Sequence, residues 1–302
     1  MKRYNALASS VILIKGAGEK ASAVVHCLYL AGMKRIVMTD LHGPMAERRG
    51  VSFCEAIIDW RKEIQGVVAE RAEPSVDMIN KRWLERKIPV VVDPKTEMLH
   101  LMKPDIYIDA LMAKRNTGTA IHDAPLVVAL GPGFMAGTDC HFVVETNPAG
   151  PYLGRVISEG QAEEDTGIPT PVFGLSEERI LRSPAEGRLL SLKGIGDRVK
   201  RKDIIGYANS SPIMAPISGC IWGLVRDGVA LKEGQKIGDI DPRGQREHCF
   251  EIASEARKIA EGVLTGIRLF GGELNPCCGG CTGQSRLHPQ PKRVNSKLLQ
   301  SL

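Results

Sequence analysis

An apolar run, Val11 to Ile14, breaks into Lys15-Gly16-Ala17-Gly18-Glu19-Lys20-Ala21, then passes through a helical pattern into a second apolar run that ends at Asp40. The order strand, glycine turn, helix, strand, acid is that of a dinucleotide-binding unit, and each part has a physical job. Gly16 permits the tight turn, Gly18 lets backbone N–H groups approach a pyrophosphate, and Ala21 is small enough for close helix–strand packing. Asp40 lies about the ~20 residues downstream at which a carboxylate meets a ribose 2′-hydroxyl. The helix beginning near Glu19 points its positive end at the phosphates, although an acid inside that turn opposes them.

A chain of 302 residues accommodates two modest domains. Charged residues at 25% and apolar residues at 43% give an ordinary globular profile. The net charge of +5 suits a phosphate-bearing ligand, but with aromatics at 5% it makes no case for nucleic acid. Met1-Lys2-Arg3 is not read as the start of a signal peptide, because its removal would take away the first strand. No apolar run reaches the ~20 residues that span a bilayer, so a cytoplasmic protein without a membrane partner is expected.

Apolar runs at Ile88 to Asp93, Asp105 to Ala110 and Leu126 to Leu130 continue the pattern, with a helical stretch from Pro74 to Arg86. Short buried runs separated by helices predict a doubly wound parallel sheet, Rossmann-like, over residues 1–160. Ligands of such sheets sit beyond the carboxyl ends of the strands. The segments there are Lys114-Arg115-Asn116-Thr117-Gly118-Thr119 and Gly131-Pro132-Gly133-Phe134-Met135-Ala136-Gly137. Lys114 and Arg115 are candidates to hold an anion, and Gly131, Gly133 and Gly137 to admit a ligand to the backbone. Bulky residues at Gly16 or Gly131 are expected to abolish ligand binding. Arg48 and Arg49 read either as acceptors of a ribose phosphate or as a solvated charge run. His26 and His141 read as packing or surface residues.

After a connection at 161–180, residues 183–208 and 215–240 repeat one another without a gap. Pro184, Gly187, Leu189, Gly196, Val199, Lys200 and Gly206 recur as Pro216, Gly219, Ile221, Gly228, Leu231, Lys232 and Gly238. Two such halves must pack together, since one alone cannot bury its apolar face. The pattern resembles a biotinyl/lipoyl-like barrel-sandwich hybrid, here a small all-β domain over 181–245. The hairpin Ala208 to Met214 has no lysine, so no biotin or lipoate attachment is expected, and the module reads as one for docking or shielding. A closing C-terminal helix is expected within 246–270, followed by a basic tail, 271–302.

Eight cysteines are present. Cys27, Cys54, Cys140, Cys220 and Cys249 stand singly and read as small buried hydrophobes, with Cys54 and Cys140 as secondary candidates for chemistry. Cys277, Cys278 and Cys281 crowd together, the last two as a CxxC. They are an incomplete metal set unless His288 or a second chain completes it, and no metal site is expected.

The phrases VILIKGAG, RIVMTD, IPVVVDP, KPDIYIDALMAKRNTGT, LGPGFMAG, VVET, LGRV and IGDIDPRG together resemble the selenium-dependent molybdenum hydroxylase system protein family, from Val11 to Leu264. The resemblance implies an accessory or maturation factor that binds molybdenum cofactor (molybdopterin type), has a hydroxylase apoprotein as partner, and aids selenium or sulfur insertion. Cys278 and Cys281 are then candidates for a polarizable thiolate. An NAD(P)-dependent oxidoreductase and a non-catalytic docking module are the alternatives. Whether the chain catalyses a reaction or forms a homo-oligomer is open at this point.

Overall fold

The computed structural model describes residues 9–169 and 171–272. Its first part is a nine-stranded sheet. In chain order its strands are β1 (Ile12–Lys15), β2 (Ile36–Asp40), β3 (Arg61–Ile64), β4 (Val67–Ala72), β5 (Ile88–Val92), β6 (Ile106–Asp109), β7 (Leu126–Leu130), β8 (Phe142–Val144) and β9 (Val156–Ile157). They lie in the order β3-β4-β5-β2-β1-β6-β7-β8-β9. Neighbours from β4 to β8 run parallel, while β3 and β9 close the two edges antiparallel. The inner strands are near-continuous apolar runs because both their faces are covered. Ile14, Met38 and Val128 point to one layer, and Leu13, Val37 and Val127 to the other.

Helix α1 (Glu19–Leu30) covers the first face, with the short α2 (Glu55–Asp59) beside it. Helices α3 (Val76–Leu84) and α4 (Glu97–Met102) lie over the other. Ser75 caps α3 by accepting a hydrogen bond from the Met78 N–H. The crossovers from β6 to β7 and from β7 to β8 contain no helix. The space beside α1 is filled instead by α5 (Ser254–Phe270), which arrives from the far end of the chain. Its Ala256, Ile259, Ala260, Val263 and Ile267 are buried among β-strand residues of the first layer. Gly262 is required there, because a Cβ would come within 2.2 Å of the Gly154 carbonyl oxygen.

The repeat region holds β10 (Ile180–Arg182), β11 (Gly187–Ser191), β12 (Arg198–Val199), β13 (Ile204–Ala208), β14 (Ser211–Met214), β15 (Gly219–Leu224), β16 (Ala230–Leu231) and β17 (Lys236–Asp241). They form two antiparallel sheets, β10-β17-β15-β12 and β14-β13-β11-β16. Each sheet takes strands from both repeats, since β12 pairs with β15 and β16 with β11. This exchange is why neither half could fold alone. Leu189, Val199 and Ile205 of the first repeat share one core with Ile221, Leu231 and Ile237 of the second.

The expected doubly wound parallel sheet followed by a small barrel-sandwich domain is therefore corrected. The chain carries one large mixed sheet, with antiparallel edges and two loop crossovers, and two separate antiparallel sheets. The physical reason is that β3 and β9 are short and half-exposed, so their direction is set by hairpins and neighbours rather than by an apolar run. The helix that completes the first layer comes from outside residues 1–160. No described helix is long and apolar enough to cross a membrane.

Candidate functional site

The carboxyl ends of β1, β6, β7 and β8 face the repeat region across a cavity of about 350 Å³. Glu19 and Lys20 enter its wall from the glycine turn, Met112 and Lys114 from the loop after β6, and Pro132 from the loop after β7. The opposite wall is Arg179, Trp222, Lys236 and Asp239, and α5 adds Glu255 and Ile259. A second recess of about 240 Å³ holds Gly16, Gly18, Asp40 and Cys54, and shares Glu19, Lys20 and Met112 with the first.

Within this setting the glycines divide by role. Gly16 has φ +101° and donates its N–H to the Thr39 carbonyl at 2.7 Å, and a Cβ would sit 3.0 Å from the Ala110 oxygen. Gly131, at φ +77°, would place a Cβ 2.5 Å from Thr146 Oγ1. Gly133 rests on the Arg115 backbone, where a Cβ would fall 2.4 Å from Cα. The two loops after β6 and β7 therefore do converge, through backbone contact. Gly137 turns at φ +83° with its N–H on the Cys140 carbonyl. These four glycines serve the fold first. Gly18 differs: it caps α1 in an extended conformation, and a Cβ there would meet nothing within 4 Å. Ala21, in the first turn of α1, is buried in the layer between helix and sheet.

Asp40 closes the turn itself. Its carboxylate accepts from the Ala17 N–H at 2.8 Å and the Leu41 N–H at 2.7 Å, and burial pushes it above the ordinary carboxylate range. Lys114 is exposed at the crevice wall and paired with Asp165, and Arg115 is exposed.

Arg48 and Arg49 turn out to be neither a solvated run nor phosphate acceptors. Arg48 is 6% exposed, and its guanidinium donates to the carbonyls of Trp222 at 2.8 Å, Cys249 at 3.2 Å and Glu251 at 3.1 Å. It also stacks on the Trp222 ring at 4.1 Å. Arg49 Nε donates to the Leu224 carbonyl at 2.8 Å. Both residues fasten the first sheet unit to the second.

Cys54 and Cys140 are buried, and burial raises both thiols, Cys140 to about 12, which removes them as ready nucleophiles. His26 hydrogen-bonds the Gln65 carbonyl and His141 accepts from the Val127 N–H, so both are packing residues. Cys277, Cys278, Cys281 and His288 lie outside the described residues. No cluster of metal-ligating side chains occurs among the described residues.

Three charged residues at strand ends were not among the sequence candidates. Lys15 and Asp109 are register neighbours on β1 and β6, with Nζ 3.4 Å from Oδ2. Thr119 Oγ1 donates to the same carboxylate at 2.6 Å, and Lys15 Nζ donates to Thr117 Oγ1 at 2.9 Å. This buried pair ties down the Lys114–Thr119 loop. Glu145, just after β8, accepts from the N–H groups of Thr146, Asn147 and Glu163, and so holds the segment bordering the cavity. Their sequence signal is a charge closing an apolar run (VILIK, DIYID, VVE).

The cavity walls are mixed in sign, and the cations are already engaged. Glu19 pairs with Arg48 and Lys20, Lys236 with Glu47, and Arg179 with Asp239 at 2.9 Å. Burial works to raise Glu19, but Lys20 and Arg48 outweigh it and hold the carboxyl below its ordinary range. Burial raises Glu47, with Lys236 offsetting only part.

Substituting Gly131 by valine is expected to destabilise the protein by about 1–3 kcal/mol through the Thr146 collision and the positive φ, seen as a lower urea midpoint. Loss of ligand binding in that variant would therefore not locate the ligand, contrary to the use expected of it from sequence.

Fold and site together define a two-unit α/β protein whose crevice lies between strand ends and a β module. No family model matches the chain. A curated relative is the uncharacterized protein YqeB of Escherichia coli (strain K12), 41% identical over 271 residues, which are 89% of this chain and 49% of that protein. The chain thus spans about half the length of the curated relative it matches. Similar solved structures include the product-bound ectoine utilization protein EutE (DoeB) of Ruegeria pomeroyi, at 10% identity and a TM-score of 0.24 over 76% of this chain and 85% of that one. An aspartoacylase family protein of Mesorhizobium loti gives 13% identity and a TM-score of 0.25, over 76% of this chain and 84% of that one. At such TM-scores they assign no function.

Proposed function

We propose that the chain is an accessory factor in the maturation of selenium-dependent molybdenum hydroxylases and binds a phosphate-bearing cofactor of the molybdopterin type in the crevice between its two units. The observation that carries this reading is the open approach at Gly18. There the first turn of α1 has no side-chain cap, Gly18 lines the smaller recess, and the next two residues, Glu19 and Lys20, line both that recess and the crevice. Backbone N–H groups of a first helical turn suit one phosphate group. The floor fits a polyphosphate poorly, because Arg48, Arg179 and Lys236 are already matched by carboxylates. That contrast favours a single phosphate over the pyrophosphate of NAD(P), and Asp40, bound to two backbone N–H groups, points the same way. A hydroxylase apoprotein is the partner in this reading, and the cytoplasm is its setting.

Native mass spectrometry of protein purified without oxygen from cells making molybdenum cofactor tests the proposal. A molybdopterin-sized adduct lost on denaturation is expected. An empty protein, or one carrying a dinucleotide, would overturn it in favour of a docking module or an oxidoreductase. A second measurement uses the space at Gly18. Gly18→Val is expected to lower Tm slightly, since valine is less favourable than glycine at a helix N-cap, and to weaken cofactor binding about tenfold, or ~1.4 kcal/mol. Unchanged affinity would remove the helix end from the site.

A further inference from the structure

The structure assigns the outer face of the sheet β14-β13-β11-β16 as a docking surface for an acidic patch of a partner protein, with apolar side chains at the centre of that patch. The inference rests on the maturation-factor reading, in which the partner is the hydroxylase apoprotein. Side chains alternate across a strand, so each strand of this sheet has an inner and an outer set. The inner set, Leu189, Ile205, Ala208 and Ile213, is buried in the core that the two repeats share. An outer set facing water is ordinarily polar. Here Leu190 is 56% exposed, Leu192 60%, Ile204 41% and Met214 53%. Register places them in two adjoining rows. Leu190 lies opposite Tyr207, which lies opposite Pro212, and Ile204 lies opposite Met214, with the Leu192 N–H on the Ile205 carbonyl beside them. Single exposed apolar residues need no explanation, but a contiguous set on one rigid face marks an interaction site.

The outer face of the module's other sheet is already occupied. There the Trp222 carbonyl accepts from Arg48, Arg226 pairs with Glu55, and Lys236 pairs with Glu47, all across the joint with the first unit. One outer face therefore holds the first unit and the other stands bare. The border of the bare face is basic. Lys193 follows Leu192, and Lys200, Arg201 and Lys202 form the exposed turn into β13, where the Lys202 N–H meets the Ala215 carbonyl next to Met214. Among the described residues none of these four side chains forms an ion pair. The acids nearby are turned to backbone N–H groups: Asp203 to Lys200, Asp197 to Gly194 and Asp227 to Ser191. An apolar centre within an unmatched cationic rim is complementary to an apolar centre within an acidic one. The same rim sets like charges against the same face of a second copy. Side chains held in rows on a sheet also cannot sink into lipid as an amphipathic helix does.

Sedimentation velocity of the full chain with the hydroxylase apoprotein tests the assignment. A complex is expected for the parent, weakened about tenfold or more by Leu190→Glu and by Met214→Glu, which put charge at the centre of the face. Lys200→Glu with Lys202→Glu should weaken it as well and flatten its dependence on salt. A carbodiimide, which joins an amine to a carboxyl without a spacer, should link Lys200 or Lys202 to an Asp or Glu of the apoprotein. All four substituted residues are exposed, so Tm should be kept. Leu84→Glu, at an exposed position on α3, should leave the complex intact.

A complex unchanged in every face variant would overturn the docking surface while sparing the maturation reading. Self-association of the parent that these variants abolish would give the face to a second copy. Retention on phosphatidylglycerol vesicles, lost in the same variants, would give it to a lipid surface, and either result overturns the assignment. No complex with the apoprotein at all would remove the partner from the maturation reading, and the docking surface with it.

Discussion

A fragment of residues 1–169, which contains every strand of the large sheet, is expected not to fold by itself. The face beside α1 would lie bare, because α5 supplies Ile259, Val263 and Ile267 to that layer, each at most 1% exposed in the whole chain. Losing three such burials removes roughly 1.5–3 kcal/mol apiece, against a total domain stability of about 5–15 kcal/mol. The exposed stripe would also bring aggregation. Far-UV circular dichroism and urea unfolding of the fragment check this, with no cooperative transition expected. Joining residues 251–272 to the fragment through a flexible linker should restore one. A cooperative transition in the bare fragment would show that the sheet does not depend on the helix.

The second large effect is expected at Arg48. Replacing it with alanine should cost about 3–5 kcal/mol, the range for breaking a buried charged contact from one side. Glu19 would lose a partner, and the carbonyls of Trp222, Cys249 and Glu251 would lose their donor while remaining buried. Arg48→Lys should recover little, since a single ammonium cannot span several carbonyls and stack on Trp222 at once. Urea unfolding measures the loss. A variant within about 0.5 kcal/mol of the parent, the scale of an ordinary surface substitution, would mean that the joint is held elsewhere.

Much of the first sheet was legible because its inner strands are continuous apolar runs with glycine or charged residues at their ends. The turn at Gly16 and the small residue at Ala21 behave as their spacing implied. The repeat was equally legible, since its matched positions recur without a gap. The edge strands were not. Arg61–Ile64 and Val156–Ile157 carry too few buried residues to declare a direction.

At the candidate site, residues of the loops named from sequence line the crevice, while several side chains have partners that the sequence did not indicate. Lys114 and Arg115 looked like anion holders because they are basic and follow a strand. Lys114 is paired with Asp165, and Arg115 contributes backbone beneath Gly133. Arg48 looked like surface charge because its partners lie almost two hundred residues away.

What the sequence determined alone is local: which runs are strands, where glycine must turn the chain, and that two repeats need each other. These follow from side-chain period and backbone sterics, which act over a few residues. Only the tertiary structure decided which helix completes the sheet and which arginine bolts the units together. Each of those depends on burial beside a distant partner, and the free energy of such burial is created by the contact and leaves no mark on the neighbouring residues.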